Sequence, residues 1–358
     1  MQTTVFQIVA RIAMGGSERV AANIVANPSA KVRYHVIEVI KDNDAVTERL
    51  LEELHSVGTQ VHRSCITEHK LAILLFPFRM LWLMLRYRAD IIHTHTEVPD
   101  VSVYLWHKLF GIFFPHTRFV RTIHSTKLWT SWKGIGKHVE SFFHRHHANV
   151  AIGKQTAQSY QREYGETVPI IPNGVQELQQ RPFPGLVAGF RNILFAGRME
   201  PEKGIKTLVE TVKRLSEEHD IIFHIIGTGS LREMVQRELG DLPTVRMCGG
   251  IPALASCLGG LDAIFMPSEF EGLALFSLES TMAGVPVIAN RCPGLEETLP
   301  PDWPLMAEGN NTDTYVRLMT AHRSTEERSA LVASAQSYVH KNYSVSTMCE
   351  GYERLYLN

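Results

Sequence analysis

Two carboxylates, Glu271 and Glu279, flank the run Gly272-Leu273-Ala274-Leu275-Phe276-Ser277-Leu278, which reads as the start of an apolar helix. A Gly284-Val285-Pro286 turn then feeds an apolar strand. A glutamate just ahead of a helix N-terminus sits where backbone N–H groups and the helix dipole attract anions. Alone, it would serve as a cap. The second glutamate, about two turns into a helix that otherwise looks buried, asks for a partner. A diphosphate at the helix end, with hydroxyls bonded to both glutamates, would account for the pattern. That is the chemistry of a sugar nucleotide.

A second candidate pair, Arg198 and Lys203, lies in Phe195-Ala196-Gly197-Arg198-Met199-Glu200-Pro201-Glu202-Lys203-Gly204. Arginine meets phosphate oxygens with a planar fork and lysine with a point charge. A solvated loop is the plain alternative, but a position at the C-terminal end of a strand favours a ligand role. Gly15-Gly16 follows the first strand and permits either close backbone approach or simply a tight strand–helix turn. Gly227-Thr228-Gly229 is a similar turn that lacks the third glycine of a dinucleotide fingerprint.

Other polar clusters carry less. Asp42-Asn43-Asp44 has the form of a metal clamp but falls in an acidic loop, where solvation is the better reading. His93 and His95 share a strand face without a third ligand and read as a cleft-edge element; His144-Arg145-His146-His147 reads as helix surface. His124 ends an apolar strand and is either a core-edge residue or one that faces a cleft. No metal site is expected.

The elements that would position these residues alternate along the chain. Strands are expected at Val5–Ala10, Tyr34–Ile40, Gln60–His62, Asp90–His93, Arg118–Thr122 and Ala148–Ile152, with helical periodicity between them. The alternation restarts at Asn192–Ala196 and continues through Ile221–Ile226, Thr244–Met247, Ala263–Met266 and Pro286–Ala289. Helices are expected near 204–218, 229–239, 251–259 and 274–283 in this half. Such a pattern predicts α/β domains with doubly wound parallel sheets and ligands at the C-terminal strand ends. We place a first domain at 1–175, a Pro- and Gly-containing linker at 176–190, a second domain at 191–340 and a final helix at 341–358, returning toward the first domain.

Composition bounds the rest. A chain of 358 residues, 44% hydrophobic and 20% charged, is globular and long enough for two domains. A net charge of −1 offers no global field for nucleic acid. Five scattered cysteines without a C-x-x-C pair read as reduced thiols of a cytoplasmic protein. The N-terminus reads as a strand rather than a signal peptide, and Leu71–Leu85 is too short to span a bilayer. Between 68 and 147, eleven Lys/Arg face five Asp/Glu, interleaved with aromatics. That surplus suits an anionic membrane surface, although the Leu71–Leu85 helix by itself reads rather as a core helix with snorkelling cations.

Together these motifs resemble the retaining, family 4 glycosyltransferases of GT-B fold, in which two Rossmann-like domains face across a cleft. The likeness runs through Gly15-Gly16, Asp90-Ile91-Ile92-His93-Thr94-His95, Pro172-Asn173-Gly174-Val175, Gly197-Arg198, Lys203-Gly204, Gly227-Thr228-Gly229 and the spaced pair Glu271 and Glu279. The resemblance implies that Arg198 and Lys203 neutralise a diphosphate, with Gly197, Gly227 and Gly229 in the donor loops. Glu271 would hold hydroxyls of the transferred sugar, and backbone N–H groups from Gly272 through Leu273 and Ala274 to Leu275 would meet sugar and phosphate. Glu279 would accept from the ribose diol, Cys248 and Gly249 would border the base, Gly16 would approach the phosphates, and His124 would face the sugar. The chain departs from the family where Glu279-Ser280-Thr281-Met282-Ala283 replaces the usual Glu-Ala-Met-Ala.

The implied reaction moves a hexose-type unit from a nucleoside-diphosphate sugar, uridine rather than guanine, to a hydroxyl of a saccharide or lipid-linked saccharide. It retains configuration and needs neither metal nor cofactor. Cell-surface polysaccharide or glycolipid synthesis at the cytoplasmic face of the inner membrane is the expected setting. The rivals are a sugar-nucleotide epimerase and a non-catalytic sugar-nucleotide-binding subunit.

Overall fold

A computed structural model describes residues 2–12, 16–27, 29–42, 45–129, 132–216 and 220–358. The chain divides into two compact units, Met1–Gly174 with Val345–Asn358, and Val175–Ser344.

The first unit contains β1 (Thr3–Val9), α1 (Gly16–Ala26), β2 (Val32–Glu38), α2 (Ala45–Ser56), β3 (Gln60–His62), α3 (His69–Tyr87), β4 (Ile91–Thr94), α4 (Glu97–Phe110), β5 (Arg118–Ile123), α5 (Lys133–Arg145), β6 (Asn149–Ala151) and α6 (Lys154–Tyr164). Its six strands are parallel in the order β3-β2-β1-β4-β5-β6. Helices cover both faces, so central β1 is a near-continuous apolar run with Val5, Phe6 and Ile8 fully buried.

The second unit contains β7 (Arg191–Ala196), α7 (Ile205–Leu215), β8 (Ile221–Ile226), α8 (Arg232–Leu239), β9 (Val245–Cys248), β10 (Ala263–Met266), α9 (Leu275–Met282), β11 (Val287–Asn290), β12 (Met306–Ala307), α10 (Thr312–Thr320) and α11 (Thr325–Tyr343). The order is β12-β11-β10-β7-β8-β9, again parallel. In α7, Ile205, Leu208, Val209, Val212 and Leu215 recur at helical spacing and fill the core. Both sheets have the doubly wound topology.

The last helix, α12 (Val345–Leu357), belongs to the first unit, where it packs on α1 and buries Met348, Tyr352 and Tyr356. It starts at Val345 because α11 runs on to Tyr343, later than the expected boundary at 341.

Three expectations need correction. Residues 176–190 are no free linker: they lie in the second unit, where Phe183 is buried and its N–H donates to the Gly259 carbonyl. The helix expected at 251–259 shrinks to one 3-10 turn, Leu254–Ser256, since Ala253 is left-handed and Pro252 and Gly259 interrupt the run. Finally, β12 and α10 went unread, because a two-residue strand and the polar start Thr312-Asp313-Thr314 show no periodicity.

Candidate functional site

Lys203 and Glu271 meet in the second unit. Lys203 Nζ donates to both Glu271 carboxylate oxygens, at 2.6 and 2.7 Å, and Ser268 Oγ donates to Oε1 at 2.8 Å. Lys203 ends a 3-10 turn, Pro201–Lys203, after β7; Ser268 and Glu271 lie on the loop after β10. The pair is only 19% and 11% exposed, so its attraction is less screened than that of a surface pair.

Backbone contacts hold both loops in register. Gly204 has φ 66°, and a Cβ there would stand 1.8 Å from the Pro267 carbonyl oxygen. Only glycine allows that approach. Glu269 N–H donates to the Glu202 carbonyl, and Glu271 N–H to the Pro293 carbonyl. From the end of β11, Asn290 Nδ2 donates to the Ser268 carbonyl while its Oδ1 accepts from Asn310 N–H. Asn310 Nδ2 in turn donates to the Pro267 carbonyl, and Tyr315 donates to Asn310 Oδ1. Nothing in the sequence singles out Asn290, Asn310 or Tyr315, because no local pattern marks a residue that supports a loop 22 or 43 positions away.

The other candidates sort unevenly. Gly272, Leu273, Ala274 and Leu275 lead from Glu271 into α9, whose N-cap, Ala274, has no side-chain oxygen to offer. Glu279 lies half-buried on α9. Arg198 is not gathered into the cluster: its side chain is 69% exposed and pairs with Glu202 at 3.1 Å. Gly227 and Gly229 have a packing role, since a Cβ would stand 2.0 Å from Gly197 O and 2.5 Å from Met199 O respectively. A Cβ on Gly197 would meet only the Phe195 ring, at 3.9 Å, Cys248 is half-buried at the end of β9, and Gly249 is exposed. Glu200 was not anticipated; its carboxylate accepts from Ser230 N–H and Oγ, tying the two glycine loops together. A separate cavity lined by Arg191, Asp262, Pro286 and Leu305 sits at the N-terminal strand ends, opposite to where such sheets bind ligands.

In the first unit, Gly15 lies outside the described residues, as do Asn43 and Asp44 of the acidic triplet; Gly16 opens α1. His93 and His95 are not at an edge. Both are fully buried in a chain of hydrogen bonds. Gln7 Nε2 donates to the Tyr356 hydroxyl at 3.0 Å, and Gln7 Oε1 is 2.7 Å from His95 Nε2. His95 Nε2 therefore carries the proton, and its Nδ1 accepts from His124 Nε2 at 3.3 Å. His124 Nδ1 is left as an acceptor. On the other branch, His93 bridges Tyr356 and Thr122, each at 2.7 Å, and Thr122 meets Tyr352.

Burial pushes all three histidines down, His93 and His95 well below the ordinary value and His124 to about 4. The unfolded chain thus takes up protons first as pH falls below about 6.5. Stability should decline from there toward pH 4, with a shallower slope in His124→Asn, which lacks one titrating group. Equal slopes in thermal melts of the two proteins would argue against a depressed His124.

Among the described residues no group of three or more His, Cys, Asp or Glu could hold a metal ion.

Two parallel doubly wound units, with charged loops at the C-terminal strand ends of the second, define the GT-B class of architecture. The model for Glycosyltransferase Family 4 matches residues 14–177, and that for Glycosyl transferases group 1 matches residues 190–321. The chain belongs to the GT-B glycosyltransferases of the family 4 type.

Among curated relatives, it is 27% identical to the D-inositol 3-phosphate glycosyltransferase of Pseudarthrobacter chlorophenolicus, over 59% of this chain and 57% of that one. It is 29% identical to the MMP alpha-(1->4)-mannosyltransferase of Mycolicibacterium hassiacum, over 38% and 34%. The matches thus span from a third to rather more than half of those relatives. Among solved structures, a glycosyltransferase from Rickettsia africae superposes with a TM-score of 0.77 at 18% identity, covering 99% and 98% of the two chains. Anabaena HepE in complex with UDP-glucose gives 0.75 at 14% identity, covering 99% of each. At such identities these structures speak to the fold.

Proposed function

We propose that the chain is a retaining glycosyltransferase that moves a sugar from a nucleoside-diphosphate sugar, UDP rather than GDP, to a saccharide or lipid-linked saccharide hydroxyl. The observation that carries this reading is the Lys203–Glu271–Ser268 cluster, fixed by backbone contacts at the C-terminal ends of β7 and β10, just ahead of α9. Breaking the donor separates a diphosphate from an oxocarbenium-like centre. A preorganised ammonium and the N–H groups at the start of α9 would stabilise the leaving charge without reorganisation. Glu271, already holding Lys203, would take sugar hydroxyls as the lysine turns toward phosphate.

Arg198, exposed before a ligand arrives, is the second cation in this reading, and Glu279 the ribose partner. In the first unit the reading assigns Gly16 and His124 to substrate contact. Metal is dispensable because the cations and helix end supply its charge, and a leaving-phosphate oxygen helps deprotonate the acceptor on the same face. The UDP-glucose complex of HepE supports a uridine donor, and the lipid-linked acceptor fits surface polysaccharide or glycolipid synthesis at a cytoplasmic, anionic membrane surface.

Thermal unfolding with UDP, GDP, ADP, dTDP and CMP, all in chelator, tests the reading. A ligand at about 100 times its Kd stabilises by about 2.7 kcal/mol, a shift of several degrees. UDP should raise Tm selectively. Indifference to all five would overturn the donor site, and a product of inverted configuration would overturn the mechanism.

A further inference from the structure

Helix α3 is apolar on two opposite faces. Ala72, Ile73, Phe76, Met80, Leu83 and Met84 fill the core. Leu71, Leu74, Phe78, Trp82 and Leu85, recurring at intervals of three and four, line the other side and stand in solvent, with Leu74 65% exposed. The expectation of an ordinary core helix covers only half of it. The exposed strip continues onto the end of α4, where Phe78 packs edge-on against Phe110 at 5.7 Å and Ile112 and Phe113 project, Ile112 being 84% exposed. A helix apolar all round is normally covered. Among the described residues nothing covers this side, and no helix is long and apolar enough to cross a membrane.

Charge indicates the occupant. From His69 to Tyr87 the helix has no Asp or Glu, while Lys70 stands exposed at its start and Arg86 and Arg88 at its end. The N-cap carboxylate, Glu68, is engaged by the N–H groups of Lys70 and Leu71. Beside Ile112 opens a groove lined by His107, Lys108, Phe142, Arg145 and His146, with no carboxylate in its lining. Not every cation of this region belongs to the face: Arg79 donates to the Glu38 and His62 carbonyls, and Arg121 is buried. Arg118, too, is engaged elsewhere, donating to the Leu355 and Tyr356 carbonyls, whereas Lys70, Arg86, Arg88, Lys108 and Arg145 stand exposed beside the apolar strip or its groove.

We propose that this face, the outer side of α3 with the Ile112–Phe113 turn and its cationic groove, docks on an anionic phospholipid bilayer. The apolar strip enters the acyl boundary while Lys70, Arg86, Arg88, Lys108 and Arg145 meet headgroup phosphates. This names the surface for the membrane partner of the reading above; its evidence does not depend on the donor site.

Flotation of the full chain with phosphatidylcholine vesicles, with and without phosphatidylglycerol, is the test. Binding should require phosphatidylglycerol and weaken with salt. A blue shift of Trp82 emission, taken as the difference from Trp82→Phe, should accompany it. Phe78→Glu/Ile112→Glu should lower the partition at least about tenfold, and Lys108→Glu/Arg145→Glu should abolish preference for the anionic lipid. Both variants alter exposed residues and should keep the wild-type nucleotide-induced Tm shift, so that failure here and failure of the donor site are separable. Absence of flotation at low salt, or wild-type flotation by both variants, would overturn the proposal. So would a dimer that Phe78→Glu/Ile112→Glu dissociates in a protein indifferent to vesicles, since the face would then belong to a second copy.

Discussion

Lys203→Ala is expected to lower kcat/KM by about 10²–10³-fold, the usual cost of removing one preorganised donor from a site of developing negative charge. The same substitution strands Glu271, which is more buried than its partner, and so lowers stability as well. The two effects separate in a double-mutant cycle. Glu271→Gln keeps the shape of the side chain and its capacity to accept from Ser268, but removes the charge that Lys203 neutralises. If the pair serves only to hold the β7 and β10 loops together, Lys203→Ala/Glu271→Gln should recover stability and turnover in parallel. If Lys203 meets the leaving diphosphate, the double variant should recover Tm while its turnover stays at the level of Lys203→Ala or below. Parallel recovery is the outcome that would remove Lys203 from the chemistry.

That Lys203 and Glu271 belong to one sheet edge was legible from sequence, though not that they pair with each other, because both residues lie next to signals of backbone geometry. Gly204 and the Gly- and Pro-containing loop mark the end of β7, and the apolar onset of α9 marks the loop after β10. In a doubly wound sheet those two loops emerge at the same edge. The strands were legible for a related reason: in parallel sheets covered on both faces they are short, unbroken apolar runs, and Ile221–Ile226 and Ala263–Met266 fall within the expected bounds. Side-chain direction was not legible. Arg198 and Lys203 look equivalent in sequence, yet one pairs outward with Glu202 and the other inward with Glu271. Gly227 and Gly229 suggested a ligand loop, whereas what they accommodate is the neighbouring strand end at Gly197–Met199. The charge surplus of the first unit was read as surface, and one of its members is a core residue.

That member carries the largest expected effect on stability. Arg121→Met should destabilise the protein by about 3–5 kcal/mol, which for a unit of this size lowers Tm on the order of 10 °C. Arg121 is 1% exposed on β5; its Nε lies 2.7 Å from Asp100 Oδ2 and its Nη1 2.8 Å from Glu140 Oε1. Glu140 also accepts from Trp129 Nε1 and from the Tyr160 hydroxyl, so its charge is fixed on several sides. Burial opposes the arginine's charge, but the two carboxylates outweigh it and hold its pKa up. Burial also pushes Asp100 up to about 6 against the pull of Arg121. A carboxyl raised in the fold binds protons more tightly there than in the unfolded chain, so its contribution is full at low pH and is lost as pH rises through the folded value. Without Arg121, whose charge pulls it down, the Asp100 carboxyl would rise further. The deficit of Arg121→Met should therefore be greatest near pH 7.5 and shrink toward pH 5, where protonation removes the stranded Asp100 charge. Chemical denaturation of both proteins at the two pH values measures this directly. A deficit below about 1 kcal/mol, or one that does not narrow on acidification, would mean that the cluster contributes packing rather than charge pairing to the first unit.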